Sequence, residues 1–268
     1  MRKLKFWIKT EAGTISTVLF IVSIILIVTA CLLGAVFEGN SAANINNILL
    51  GAATNLWGII VTVSFVQYFI DKQDEKREKA EEVALIKRYH RVMSVLIKRY
   101  LMYRYCVITP IDQRQKGNPY VISCDFSLLD MKDLYQPSTY ICEGLGEPSI
   151  FLFYKAEKNL RKYMIDMIEN INFKYNEELY QIILSFIENS INWNMRGAIL
   201  GNVDMCGTGE NSYSSIIEGL MNTEENWIER WEEGTLTGNI MFPYVTLYKL
   251  IKTEMELLLQ YDKYINQL

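Results

Sequence analysis

Residues 13–37 read GTISTVLFIVSIILIVTACLLGAVF and residues 48–70 read ILLGAATNLWGIIVTVSFVQYFI, and neither run contains a charged side chain. At ~1.5 Å of rise per residue, each is long enough as a helix to cross a hydrocarbon layer ~30 Å thick. The first exceeds the ~7–15 apolar residues of a secretory signal, so it reads as a retained anchor. Residues 38–47 between the runs are few and rich in Asn and small side chains. They leave room only for a loop joining two antiparallel helices. The expectation is a two-helix transmembrane hairpin.

Lys and Arg in the short flanks set its orientation. The N-terminal tail, 1–12, carries Arg2, Lys3, Lys5 and Lys9, and the connecting loop carries none. Lys72, Lys76, Arg77, Lys79, Lys87 and Arg88 follow the second run. Both termini are therefore expected in the cytoplasm, with the loop outside. Trp7 suits an interfacial anchor, whereas Trp57 lies too deep in its span for that role.

Small residues recur at helix-packing spacing in both spans. Ala30 and Gly34 are four apart, and Thr54, Gly58 and Thr62 form a second ridge. Such ridges let helix backbones approach closely, either within the hairpin or between chains. Asn55 is the costliest polar group in either span and needs a hydrogen-bond partner in lipid. In an oligomer, Asn55, Thr62 and Gln67 would line a polar path. Neither span holds Asp, Glu, Lys, Arg or His, which argues against a proton-coupled transporter.

Beyond the spans the pattern is helical. DKQDEKREKAEE, 71–82, has ten charged residues in twelve and no Gly or Pro, the pattern of a solvated helical stalk over 71–105. Val83, Ile86, His90, Met93, Ile97 and Tyr100 then follow spacings of three and four, and Leu85, Val92 and Leu96 widen the apolar face. His90 on this stripe reads as a packed, hydrogen-bonded residue. The opposite face, with Lys87, Arg88, Arg91, Lys98, Arg99 and Arg104, reads as solvated.

Four of the five prolines lie between Thr109 and Pro148. That segment reads as an insertion between helices, with a short strand at Tyr120–Phe126 and a helical turn or two over Ser127–Tyr135, and as a place for recognition. Helical stripes return with Ile150, Phe153, Leu160, Met164, Met167 and Ile171. Another helix is expected from about Asn176 to Gly201. A shorter one follows from Asn222, with Asn222 and Glu225 as a capping-box-like pair, and a last one begins near Pro243. The expected fold is all-α: the hairpin, 13–37 and 48–70, followed by a mostly helical cytosolic bundle, 106–268, with a small irregular or β-containing insertion at 109–148.

Chemistry is sparse. Net charge is -4 and the segment from Asp71 onward has 23 basic against 29 acidic residues, so a general nucleic-acid footprint is missing. Cys31, Cys106, Cys124, Cys142 and Cys206 form no C-x-x-C pair, and one histidine cannot make H-E-x-x-H. No phosphate-binding glycine loop or G-x-S-x-G elbow occurs; Gly207-Thr208-Gly209 reads as a loop. Glu229, Glu232 and Glu233 beside Trp227 and Trp231 read as solvated charge. No catalytic residue, cofactor or metal is expected, and the chain reads as a non-enzyme.

The layout, a hairpin over Gly13–Ile70 and a helical domain after it, resembles the two-transmembrane effectors of bacterial anti-phage defence systems, especially those accompanying retrons. The resemblance implies a multi-pass inner-membrane protein held inactive by a partner ribonucleoprotein or other defence proteins. On sensing infection such a protein permeabilises the membrane and stops growth, an abortive infection. A membrane-tethered helical scaffold or sensor without pore activity shares the same topology. A membrane enzyme would instead show perturbed polar groups in a pocket of the cytosolic domain.

Overall fold

The computed structural model describes residues 11–36, 40–137, 147–202, 213–223 and 226–268. Among them the regular elements are helices: α1 (Glu11–Val36), α2 (Asn40–Val107), α3 (Ser149–Asn170), α4 (Glu177–Asn192), α5 (Arg196–Gly201), α6 (Tyr213–Met221), α7 (Trp227–Glu232) and α8 (Phe242–Ile265). Two of these, α1 and α2, are long and apolar enough to cross a membrane. The chain divides into one compact unit, Met1–Ala80, and another, Glu81–Leu268, and α2 contributes to both.

In the first unit, α1 and α2 meet along a seam with a strict three-four spacing. Ser16, Ser23 and Ala30 of α1 are almost fully buried, with Leu19, Leu26 and Leu33 half-buried between them. Among the described residues of α2 that belong to this unit, Ala53 is buried, flanked on its stripe by half-buried Asn46, Leu49, Leu56, Ile60, Val63 and Gln67. Small side chains every seventh residue let the backbones approach, the packing that replaces hydrophobic driving force between helices in lipid. Phe20 meets Trp57 edge-on, with ring centroids 5.4 Å apart. The expected loop at 38–47 is corrected: α2 already begins at Asn40, because residues 40–47 contain neither Gly nor Pro to break a helix. Residues 37–39 lie outside the described residues.

The second unit is built around α8, which packs on α4 and receives α5 and α7. Leu247, Ile251, Leu258 and Tyr261 of α8 are buried with Leu179, Ile183 and Phe186 of α4 and Ile150, Phe153, Leu160 and Met164 of α3. From α2, Ile86, Met93, Ile97 and Tyr100 enter this core. Leu85 and Val92 do not: they remain exposed, so the apolar face of α2 is wider than the core that covers it. His90 is half-buried and hydrogen-bonded through Nδ1 to the Tyr261 hydroxyl at 3.1 Å.

Three boundaries differ from the sequence reading. The helix expected from Asn176 to Gly201 is two, broken at Trp193 and Asn194; the Asn194 side chain caps Arg196 N–H while Trp193 turns edge-on to Trp231. The N-cap expected at Asn222 lies one turn later at Asn226, whose Oδ1 accepts from Glu229 N–H and whose Nδ2 meets the Glu229 carboxylate. The helix α6 has no counterpart in the sequence reading.

Nor is there a strand at Tyr120–Phe126. A strand needs a neighbour to take its carbonyls, and here the Arg104 guanidinium takes those of Val121 and Ser123, at 2.8 and 2.9 Å. The described part of the insertion is otherwise turns, one 3-10 turn at Leu129–Met131, and an isolated bridge between Pro137 and Pro148. Arg114, fully buried, holds it together by donating to the carbonyls of Thr109, Asp133 and Pro137 and to Ser149 Oγ.

Candidate functional site

Most of the exposed large apolar side chains of the chain fall between Ile15 and Ile70. A core helix of a soluble protein would bury such residues, and a surface in water does not tolerate a patch of this extent. The exposed apolar surface of α1 and α2 fits a membrane environment.

Residues named from the sequence divide between its two faces. Ala30 sits in the α1–α2 seam, fully buried, and Gly34 lies one turn further along α1. Asn55, Gly58 and Thr62 line a shallow groove of about 470 Å³ on α2, with Ile59 and Val63. An added methyl at Gly58 would meet nothing within 4 Å, so the glycine is not needed for contact with α1. Two hydroxyls near the groove are already satisfied: Thr62 donates to the Gly58 carbonyl at 2.8 Å and Thr54 to that of Gly51 at 2.9 Å. The Asn55 carboxamide has no partner among the described residues. Gln67 donates instead to Asp71 at 2.7 Å and belongs to the seam stripe, about 140° around the helix from Thr62.

The second unit holds a polar cluster that was not anticipated from sequence. Glu157 of α3 and Glu254 of α8 are buried, 4% and 0% exposed. Tyr100 of α2 donates to Glu254 Oε2 at 2.5 Å, and Ser190 of α4 donates to Glu157. Arg161 lies 3.3 Å from the Glu157 carboxylate and also donates to Ser190. Glu254 Oε1 and the Tyr154 hydroxyl are buried without partners. Burial raises the Glu157 pKa to about 7, against the pull of Arg161 and Arg196. Burial and then the nearby Glu157 charge raise that of Glu254 well above the carboxylate range. Two carboxyl groups thus share one close guanidinium and keep a proton where solvent carboxyls would lose it. The cluster lies buried among α2, α3, α4 and α8.

No protein-family model, curated protein or solved structure matches the chain.

Among the described residues no group of three or more His, Cys, Asp or Glu side chains is arranged to hold a metal ion. Cys206, Gly207 and Gly209, like Cys142, lie outside the described residues. The acids missed by sequence reasoning carry a recognisable signal. Glu157 falls on the α3 stripe between Phe153 and Leu160, and Glu254 on the α8 stripe between Ile251 and Leu258. A charge at a core register position marks a buried polar site.

Proposed function

We propose that this chain is a multi-pass inner-membrane effector of bacterial defence. In this reading its hairpin spans the bilayer with both termini cytoplasmic and self-associates to permeabilise the membrane. The observation that carries it is the α2 face bearing Asn55, Gly58 and Thr62. That face is polar and small in the middle of an apolar helix, and α1 does not cover it. An unpaired amide in hydrocarbon costs about 2–7 kcal/mol, which a second copy relieves by pairing Asn55 across the interface. Several copies meeting on this face surround a polar lining, through which ions leak. The defence context and the restraining ribonucleoprotein come from the resemblance in layout. The helical unit would receive the signal.

The test is membrane potential in bacteria after induced expression of the full chain, of a chain beginning at Asp71, and of Gly58→Leu. Disulfide cross-linking of Ile59→Cys, on the same groove, in isolated membranes accompanies it. The expected result is depolarisation by the full chain alone and cross-linked oligomers that Gly58→Leu abolishes. An unchanged potential together with cross-linked oligomers would make the hairpin a scaffold's anchor. Absence of cross-linking would remove the self-association face altogether.

A further inference from the structure

The insertion is anchored by two buried arginines that are treated differently. Arg114 donates to four oxygens. Arg104, 2% exposed, donates only to the Val121 and Ser123 carbonyls, and its Nε–H is buried with no partner. Among the described residues no carboxylate pairs with it. Buried guanidinium groups are stable when a counter-charge and full hydrogen bonding accompany them. Burial pulls the Arg104 pKa down, opposed by the neighbouring Tyr100 and Cys124 groups.

Arg104 also lines a cavity of about 240 Å³ between the end of α2 and the insertion. The other walls carry Gln113, Asn118, Asp125 and Asp130, with Phe126 as an apolar surface. The Asp130 Oδ2 atom accepts from Ser127, and the Asp125 Oδ2 atom from Ser123. Each carboxylate keeps a second oxygen for a further donor. The lining thus combines a guanidinium with an unpartnered N–H and two carboxylates with acceptor capacity to spare. The volume lies just below the ~300–1,000 Å³ typical of ligand pockets and fits a molecule of only a few heavy atoms.

We propose that this cavity is a binding site for a small molecule bearing an acidic group and hydrogen-bond donors, its acid against Arg104 and its donors toward Asp125 and Asp130. The acidic group is a phosphate or a carboxylate; either supplies the missing counter-charge. This site is independent of the leak reading, since it lies wholly in the helical unit. Occupancy would draw the insertion onto α2 and make the ligand an input to that unit.

The experiment is calorimetric titration of the full chain in lipid nanodiscs with three probes: inorganic phosphate, ribose 5-phosphate and L-serine. Saturable binding by ribose 5-phosphate or L-serine, at least tenfold tighter than phosphate alone, is expected, and which of the two binds distinguishes phosphate from carboxylate. Arg104→Gln should weaken it at least tenfold. Because Arg104 also holds the 121–123 backbone, Gln113→Trp serves as the second variant: it fills the exposed mouth and should abolish binding while leaving the unfolding transition in place. No saturable binding by any probe, or binding unchanged in Gln113→Trp, overturns the proposal. Membrane leakage does not enter these readouts, so failure here and failure of the leak reading are separable.

Discussion

Replacing Glu254 with Gln should change how the helical unit responds to pH. Glu157 and Glu254 both hold their protons more tightly in the folded chain than in the unfolded one. The folded state therefore binds more protons, and stability falls as pH rises. The contribution is complete below the unfolded value near 4.5 and is lost as pH passes the folded value of about 7 for Glu157, with the Glu254 loss following at higher pH. For Glu157 the rise from 4.5 to about 7 corresponds to on the order of 3 kcal/mol. While one proton is being lost, the slope approaches about 1.4 kcal/mol per pH unit. In Glu254→Gln, the amide oxygen still accepts from Tyr100, one buried acid is gone, and Glu157 loses its repelling neighbour. Urea unfolding from pH 5.5 to 8.5, read by the fluorescence of Trp193 and Trp231 in the helical unit, measures both effects. The wild type should lose stability steadily across this window. The variant should show a shallower slope and exceed the wild type at pH 8. A wild-type stability that increases with pH, or an identical slope in the variant, would refute the argument.

Other substitutions test separate contacts. Ala30→Leu places a large side chain in a fully buried seam position, and overpacking of about 1–3 kcal/mol should loosen the hairpin, seen as faster proteolysis or altered α1–α2 cross-linking in membranes. Gly58→Leu, with open space at that position, should leave the same α1–α2 cross-links intact. Glu82, 6% exposed, accepts from Tyr175 N–H and Asn176 Nδ2 at the entry to α4. Glu82→Ala should cost about 1.5–3 kcal/mol in urea unfolding and raise hydrogen exchange over the first turns of α4. A methyl in Gly117→Ala would collide with the Tyr105 hydroxyl, and Tyr105 lines the Arg104 cavity. That variant should weaken ligand binding in the cavity and lower the unfolding free energy in urea titration by about 1–3 kcal/mol.

The long apolar runs were legible because an 18-residue stretch without charge has few readings, and the stripes Ile86–Met93–Tyr100 and Ile150–Phe153–Leu160 were legible because apolar periodicity is what burial selects. Boundaries depended on local competition. Asn222 and Asn226 each stand three residues before a Glu, and only the fold chooses between the two caps. Arg104 was misplaced on the solvated face for a different reason. It continues the spacing of Ile97 and Tyr100 toward Val107, yet its charge argued for water, and the carbonyls that receive it come from residues 17 and 19 positions later. The separation of Ala30 from Asn55 and Gly58 was likewise hidden, because small residues in two ridges do not say which ridge meets which. Burial separates them: the α1–α2 seam follows Ser16, Ser23, Ala30 and Ala53, leaving the α2 groove to its own face.

Arg104 and Arg114 grip the insertion by main-chain oxygens, a feature that every amino acid supplies alike. The path of the segment near Val121, Ser123 and Pro137 is therefore held through the main chain, and at Asp133 the carboxylate adds a side-chain contact by accepting from Ile111 N–H. Positions facing the cavity can drift through mutation while the scaffold that presents them keeps its course. Exchanging the side chain at Gln113 or Asn118 therefore leaves both arginine grips in place.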